Sequence, residues 1–116
     1  MKFLSLEPFV PSGSDFEKAK EFFRELGFSV TWDGGDYVGF QKDGSRFILQ
    51  NYNNTAFAEN LMLNVAISSA QDFWQFVHDK NLVDKFGIRL GMPTRQPYGL
   101  EVNIIDAAGV CWHFVE

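Results

Sequence analysis

The sequence predicts a single α+β domain of 116 residues in which one order of elements, strand–helix–three strands, occurs twice in tandem. Two separate segments carry apolar residues at helical spacing, three strand-like runs follow each of them, and turn-forming residues separate those runs. One copy of this order of elements is too small to bury both faces of its own sheet. We therefore expect a concave sheet with the helices on its outer face, module one at about residues 1–58 and module two at about 59–116.

Module one begins with a β-rich run over residues 3–10, which Pro8 interrupts. A proline without a backbone N–H is typical of an edge strand, or of a strand that crosses between subunits. Ser14 and Glu17 form a capping box, which predicts a helix that begins there, and Gly27 is placed to end it. Three strand-like runs follow at about residues 29–33, 37–42 and 46–51, with turns at Gly34-Gly35 and Asp43-Gly44.

Module two repeats this order from about residue 60. Residues 61–67 predict a strand, and Ser69 with Asp72 opens a second helix. The apolar positions of that helix are Ala70, Phe73, Trp74 and Val77. Three further strands are predicted near residues 88–92, 100–106 and 110–115, and Gly109 with the two alanines before it turns the last pair.

Composition and charge narrow the classes of function. Aromatic residues make up 16% of the chain, including thirteen Phe, which is more than a small core needs, so we expect some rings to line a site. Fifteen acidic against ten basic residues give a net charge of −5, which argues against nucleic acids and membrane surfaces and favours cationic ligands. Cys111 is the only cysteine and no long apolar segment or leader is evident, so we expect a cytoplasmic protein.

Two segments of the chain resemble the vicinal-oxygen-chelate (glyoxalase/bleomycin resistance protein/dioxygenase) superfamily. The first runs from Glu7-Pro-Phe-Val-Pro-Ser to Leu26-Gly-Phe. The second, Gln96-Pro-Tyr-Gly followed by Asp106-Ala-Ala-Gly-Val-Cys-Trp-His-Phe, is similar to the closing motif of the bleomycin-resistance proteins. The resemblance spans essentially the whole chain and is patchy around residues 80–95. It implies two βαβββ modules and a homodimer with ligand grooves between its subunits, and it places Pro8 where some members exchange an N-terminal strand.

Metal-dependent enzymes of this superfamily hold a divalent ion with four side chains. The resemblance places those positions at Glu7, Phe47, Asn64 and His113. Phe47 has no ligand atom and the Asn64 carboxamide is a poor substitute for imidazole, so we expect no metal and no cofactor. Cys111 and His113 share one face of the last strand, which is compatible with a catalytic pair or with a small thiol packed beside an imidazole. We favour the second interpretation and expect no catalytic residues.

For a drug-binding relative, the resemblance implies that Tyr37 and Tyr98, from different subunits, sandwich a flat heteroaromatic group. It also makes Asp36 and Glu59 the best candidates to attract a cationic drug, with Asp33 and Glu101 as further acids. Asn64 and Phe47 would point into the concavity and form a neutral floor. The expected ligand-binding residues are therefore Tyr37, Tyr98, Asp36, Asn64, Phe47, Glu59 and His113.

The function predicted on this basis is non-catalytic binding of a cationic, planar drug of the bleomycin type, which confers resistance by sequestration. Three alternatives remain open. They are a binder of another planar ligand on the same scaffold, a metal-dependent lyase, dioxygenase or thiol transferase, and a dimerising module without a small ligand.

Overall fold

A computed structural model describes residues 1–116 and contains two β-sheets and four helices. The strands are β1 (Phe9–Pro11), β2 (Ser29–Asp33), β3 (Tyr37–Lys42), β4 (Ser45–Gln50), β5 (Met62–Ala66), β6 (Arg89–Leu90), β7 (Thr94–Gln96), β8 (Gly99–Ile105) and β9 (Cys111–Val115). The helices are α1 (Phe16–Leu26), α2 (Thr55–Glu59), α3 (Ala70–Asp79) and α4 (Leu82–Phe86). The predicted α+β class and the repeated order of elements are confirmed.

The two sheets have the same topology. In the first sheet the strand order is β1-β4-β3-β2, and in the second it is β5-β9-β8-β6, with β7 also paired to β8. The first strand of each sheet runs parallel to the last strand of its module, and the other pairs are antiparallel. Each sheet therefore has a helix connection on one face, as the βαβββ order requires.

One hydrophobic core joins both sheets on their helix side. Phe23 of α1 lies at its centre, with ring-centroid distances of 4.8 Å to Phe47, 5.9 Å to Phe40 and 5.4 Å to Trp112. Phe40 and Phe47 belong to the first sheet and Trp112 to the second. Because α1 covers residues of both sheets, the two modules share a single interior, and the opposite face of each sheet is left open.

The cap of α1 differs from the prediction. Asp15, not Ser14, is the N-cap, and its carboxylate accepts a hydrogen bond from the backbone N–H of Lys18 at 3.0 Å. Glu17 pairs with Lys20 at 2.8 Å and does not reach back, so the predicted capping box is wrong. The helix ends as predicted at Gly27, whose φ of 116° favours glycine.

The N-terminal strand is shorter than predicted. The run predicted over residues 3–10 is a strand only from Phe9, and β1 continues to Pro11, although the carbonyl of Pro8 also accepts from the backbone N–H of Ile48 at 2.9 Å. The side chains of Phe3, Leu4 and Leu6 are 94%, 90% and 89% exposed, so they pack on nothing within the chain.

Three short elements, α2, α4 and β7, were not predicted. Their lengths of five, five and three residues are too short for a periodic pattern to emerge in the sequence. No helix is long and apolar enough to cross a membrane.

Candidate functional site

The open face of the second sheet carries a group of polar side chains. Alternation along β8 and β9 directs Val102, Ile104, Trp112 and Phe114 into the core. The residues between them lie on the open face. Asn64, His113 and Asn103 are cross-strand partners on β5, β9 and β8, and we call them the asparagine–histidine row.

A hydrogen-bonded chain of three side chains crosses this face. The Nδ1 atom of His113 lies 2.7 Å from Oε1 of Glu101, and the Nε2 atom lies 3.4 Å from Sγ of Cys111. A carboxylate can only accept, so Nδ1 carries a proton, and in the neutral imidazole Nε2 accepts from the thiol. The second Glu101 oxygen accepts from the Tyr98 hydroxyl at 2.9 Å. We refer to Cys111, His113 and Glu101, without Tyr98, as the Cys111–His113–Glu101 chain.

Nearby negative charge and burial keep the Cys111 thiol and the Tyr98 phenol protonated. Burial, and then the negative charges of Glu101 and Asp106, raise the pKa of the Cys111 thiol. The hydrogen bond to Glu101, followed by burial and the charge of Glu101, raises the pKa of Tyr98. At neutral pH the thiol and the phenol are therefore both protonated and can serve as donors. Glu101 itself is only 5% exposed, so its charge is held inside the protein surface.

The asparagine–histidine row contains an unsatisfied polar atom. The carboxamide oxygen of Asn103 is buried and has no hydrogen-bond partner within the chain. Such an orphaned acceptor costs about 1–3 kcal/mol. Because this oxygen is shielded from solvent, the amide that the row presents on the open face is the exposed carboxamide of Asn64.

The open face of the first sheet is aromatic. Phe9 and Tyr37 meet edge to face with ring centroids 5.8 Å apart, and both rings are exposed. Trp32 lies nearby, with its indole over the backbone of Gly39, where a Cβ atom would collide with the indole nitrogen. We call Phe9, Trp32 and Tyr37 the aromatic face. Neighbouring exposed rings of this kind mark binding surfaces more often than isolated ones do.

The two tyrosines of the expected clamp lie on different sheets. Tyr37 begins β3 and belongs to the aromatic face, whereas Tyr98 lies in the turn before β8 and is 62% exposed. Within one chain the Tyr37 ring contacts Phe9 and not Tyr98. A sandwich between them needs a second copy and stays a prediction.

The placement expected for Phe47 is wrong. This residue is 2% exposed and packs in the helix-side core, with its ring centroid 5.3 Å from that of Trp112. Its neighbour Ile48, whose cross-strand partners are Phe9 and Gly39, faces the open side. A strand alternates with a period of two, so an error of one residue in the alignment moves the side chain to the opposite face.

The acidic residues expected to attract a cationic ligand differ in their exposure and in their hydrogen-bond partners. Asp36 is exposed and accepts from the Asn51 side chain at 3.1 Å, and Asp33 accepts from the backbone of Gly35 at 2.9 Å. Both carboxylates shape the β2–β3 hairpin and still face solvent. Glu59 is exposed at the end of α2, beside Gly109. Glu101 differs from the expected surface acid, because both of its oxygens are already bonded to other side chains.

The positions that hold a metal in superfamily enzymes do not provide a suitable donor set here. Glu7 accepts from the Ser5 hydroxyl at 2.8 Å, and both ring nitrogens of His113 are engaged. The β4 position offers Phe47 or Ile48, neither of which has a ligand atom. No group of three or more His, Cys, Asp or Glu side chains lies close enough together to hold an ion.

Sequence reasoning missed three features of these open faces. Phe9, Trp32 and Asn103 were not among the expected site residues. Asn103 and Glu101 could have been placed with His113, because both lie at odd positions of a seven-residue strand paired to β9. The role of Trp32 follows a register shift in β2, which has no signal in the sequence.

The chain was compared with known proteins. No family model matches it, and neither does any curated protein. Solved structures do match over nearly the full length. A bleomycin resistance determinant encoded on transposon Tn5 is 16% identical, with a TM-score of 0.81 and 98% of both chains covered. The bleomycin-binding protein of Streptomyces verticillus, solved with copper(II)-bleomycin, is 18% identical, with a TM-score of 0.76 and coverage of 99% of this chain and 97% of that one.

The likeness extends to proteins against other antibiotics. FosX, the fosfomycin resistance protein of Listeria monocytogenes, is 9% identical, with a TM-score of 0.75 over 99% of this chain and 91% of that one. At these identities the likeness defines the fold. The chain has the glyoxalase/bleomycin-resistance fold, as the resemblance of its opening and closing segments implied.

Proposed function

We propose that this protein is a homodimer that binds a cationic, planar drug of the bleomycin type and sequesters it without changing it chemically. The observation that carries the proposal is the pair of exposed aromatic sites on the open sides of the two sheets. One is the aromatic face of the first sheet, and the other is Tyr98 on the second. Two proteins with the same fold are named for bleomycin binding or resistance, which supports this choice of ligand.

The two tyrosines are held in ways that suit stacking. The hydroxyl of Tyr98 donates a hydrogen bond to Glu101, and the ring of Tyr37 packs edge to face against Phe9. Both contacts restrict the orientation of the rings. Each stacking contact contributes about 0.5–1.5 kcal/mol beyond the area it buries. Micromolar binding requires about −8 kcal/mol, so the remainder must come from apolar area and from charge.

The dimer is proposed because one chain alone leaves these surfaces incomplete. Tyr37 and Tyr98 lie on different sheets, and the side chains of Phe3, Leu4 and Leu6 extend into solvent. A second copy related by a twofold axis would cover the N-terminal segment and form two equal grooves. Each groove would then take one tyrosine from each subunit.

Charge would favour a cationic ligand. The chain has a net charge of −5, and the carboxylates of Asp33, Asp36 and Glu59 are exposed to solvent. Exposed carboxylates raise the association rate of a cation and lose that effect as salt screens them. Binding of such a drug should therefore weaken with ionic strength.

A second candidate is a binder of a smaller, more polar antibiotic. The asparagine–histidine row favours it, because the exposed carboxamide of Asn64 offers both a donor and an acceptor to a ligand with several hydrogen-bonding groups. The likeness to a fosfomycin resistance protein points in the same direction. In this case the aromatic face would serve only to hold the two subunits together.

A titration followed by tryptophan fluorescence and by melting temperature separates these functions. Trp32 lies on the aromatic face and would report a ligand there. Equimolar metal-free bleomycin should quench the emission and raise the melting temperature. A response to fosfomycin alone would favour the second candidate, and a response to neither compound would contradict both.

A further inference from the structure

Drug binding by aromatic rings makes no use of Cys111. This residue is the only cysteine of the chain, and it lies partly exposed on the open face of the second sheet. Its thiol is 3.4 Å from Nε2 of His113, whose Nδ1 is held by Glu101 at 2.7 Å. Cys111, His113 and Glu101 are therefore arranged as a nucleophile, a base next to it, and a group that orients the base, which is the arrangement that nucleophilic catalysis uses.

We propose that Cys111 is a nucleophile, with His113 as its base and Glu101 as the group that orients His113, and that it captures ligands bearing an α,β-unsaturated carbonyl group. The inference goes beyond reversible drug binding and does not depend on the identity of the drug.

The reaction is an addition that needs no other reactant. The thiol proton moves to Nε2 of His113, and the sulfur electron pair forms a bond to the β-carbon of the ligand. The electrons of the carbon–carbon double bond move toward the carbonyl, which gives an enolate. The proton then returns from His113 to the α-carbon. Overall, S–H adds across the double bond, and nothing is oxidised or released.

The surroundings of the thiol make the base necessary. Burial and the carboxylates of Glu101 and Asp106 raise the thiol pKa, so little thiolate forms at neutral pH without help. The cross-strand neighbours of Cys111 are Met62 and Ile105, and neither carries a charge. Proton transfer to an imidazole already fixed by Glu101 supplies the thiolate at the moment of attack.

The same face offers a place for the rest of the ligand. Met62, the cross-strand partner of Cys111, is 68% exposed, and Cys111 itself is only partly buried, so this end of the open face is accessible to a ligand. His113 also pairs across the strands with Asn64, whose exposed carboxamide lies on the same face and can hydrogen-bond a polar group of a bound electrophile.

The first test uses the unaltered chain and N-ethylmaleimide, a small Michael acceptor. The second-order rate of adduct formation is measured by intact mass between pH 7 and pH 8. A base-assisted thiol should react well under tenfold faster at pH 8, because His113 takes the thiol proton and the rate no longer follows the amount of free thiolate. A roughly tenfold rise, which is the behaviour of an unassisted thiol below its pKa, would overturn the proposal.

The second test compares variants of the two histidines. His113→Gln should lower the rate at pH 7 at least about tenfold, because general-base assistance is lost. His78→Gln is the matched control, since His78 lies on α3 stacked on Trp74 and away from the thiol. Equal rates in His113→Gln and the wild type, with both folded by circular dichroism, would refute the role of His113. The assay contains no drug, so it is independent of the drug-binding proposal.

Discussion

The His113 imidazole and the Glu101 carboxylate meet at 2.7 Å on the open face of the second sheet, and this contact sets the chemistry of the groups around it. It fixes the proton on Nδ1 and leaves Nε2 toward Cys111. It also links β8 to β9 diagonally, because the cross-strand partner of His113 is Asn103 and that of Glu101 is Val115. The other Glu101 oxygen holds the Tyr98 hydroxyl, so one carboxylate orients both the base and an exposed ring.

Replacing Glu101 with Gln should destabilise the fold by about 1–3 kcal/mol, because hydrogen bonds to a charged, largely buried group are lost. Urea denaturation measures the change in the free energy of unfolding. Glu21→Gln is the control, since Glu21 faces solvent on α1 and pairs with Arg24 at 3.5 Å. That change should cost less than about 0.5 kcal/mol. Equal effects in the two variants would contradict a structural role for the Glu101 pair.

Phe47→Ala should cost about 3–5 kcal/mol, because it removes a ring from the centre of the core that joins the two sheets. Phe57→Ala, at an exposed position on α2, should cost less than about 1 kcal/mol. Thermal and urea unfolding of both variants provides the comparison. A Phe47→Ala protein that unfolds like the wild type would place this side chain outside the core.

Phe47 also illustrates how far the sequence alone could lead. The order of elements followed from local patterns, and residues 29–33 and 37–42 were predicted with the bounds that β2 and β3 have. The face of β4 on which Phe47 lies could not be predicted from local patterns. Phe47 was assigned to a metal-binding position by resemblance to the family, and an error of one residue in that assignment moves a side chain to the opposite face of the strand. Contacts between distant residues, such as that of Trp32 with Gly39, leave no periodic trace in the sequence.

The N-terminal segment and the helix cap show two other limits. The apolar residues Phe3, Leu4 and Leu6 have strand-like composition, but a strand also needs a neighbouring strand to pair with, and these residues pair with none in the chain. At the start of α1, Ser14 and Asp15 are both good caps, and their preferences are too similar to separate.

Asp106 should make the stability of the protein depend on pH. Burial raises its pKa above 3.8, although hydrogen bonds from Trp112 and three backbone N–H groups oppose the shift. The folded state therefore binds this proton more tightly than the unfolded state does. Its contribution to stability is fully present below about pH 3.8 and declines as pH rises through the folded pKa.

The measurement is the difference in melting temperature between the wild type and Asp106→Asn over a range of pH. The melting temperature of the wild type should rise relative to that of the variant in acid, and this difference should shrink toward neutral pH. Other titrating groups are the same in both proteins and cancel in the comparison. A difference that grows with rising pH would contradict the direction assigned to Asp106.

Removal of residues 1–6 should dissociate the proposed dimer and leave each chain folded. These residues form no strand in the chain, and four of them, Met1, Phe3, Leu4 and Leu6, expose large apolar side chains. Sedimentation equilibrium compares the association of full-length and shortened proteins, and circular dichroism reports the fold. An unchanged association constant, or a full-length protein that is monomeric at micromolar concentration, would argue against pairing through this segment.

An aromatic clamp for a cationic, planar drug should be evident in a calorimetric titration of metal-free bleomycin into chelator-treated protein. The wild type should bind one drug per chain with micromolar affinity or better, about −8 kcal/mol. Tyr98→Ala should weaken binding about tenfold or more, whereas Tyr98→Phe, which keeps the ring and loses only the bond to Glu101, should stay close to the wild type. No heat with the wild type, or equal affinity in Tyr98→Ala, would contradict such a clamp.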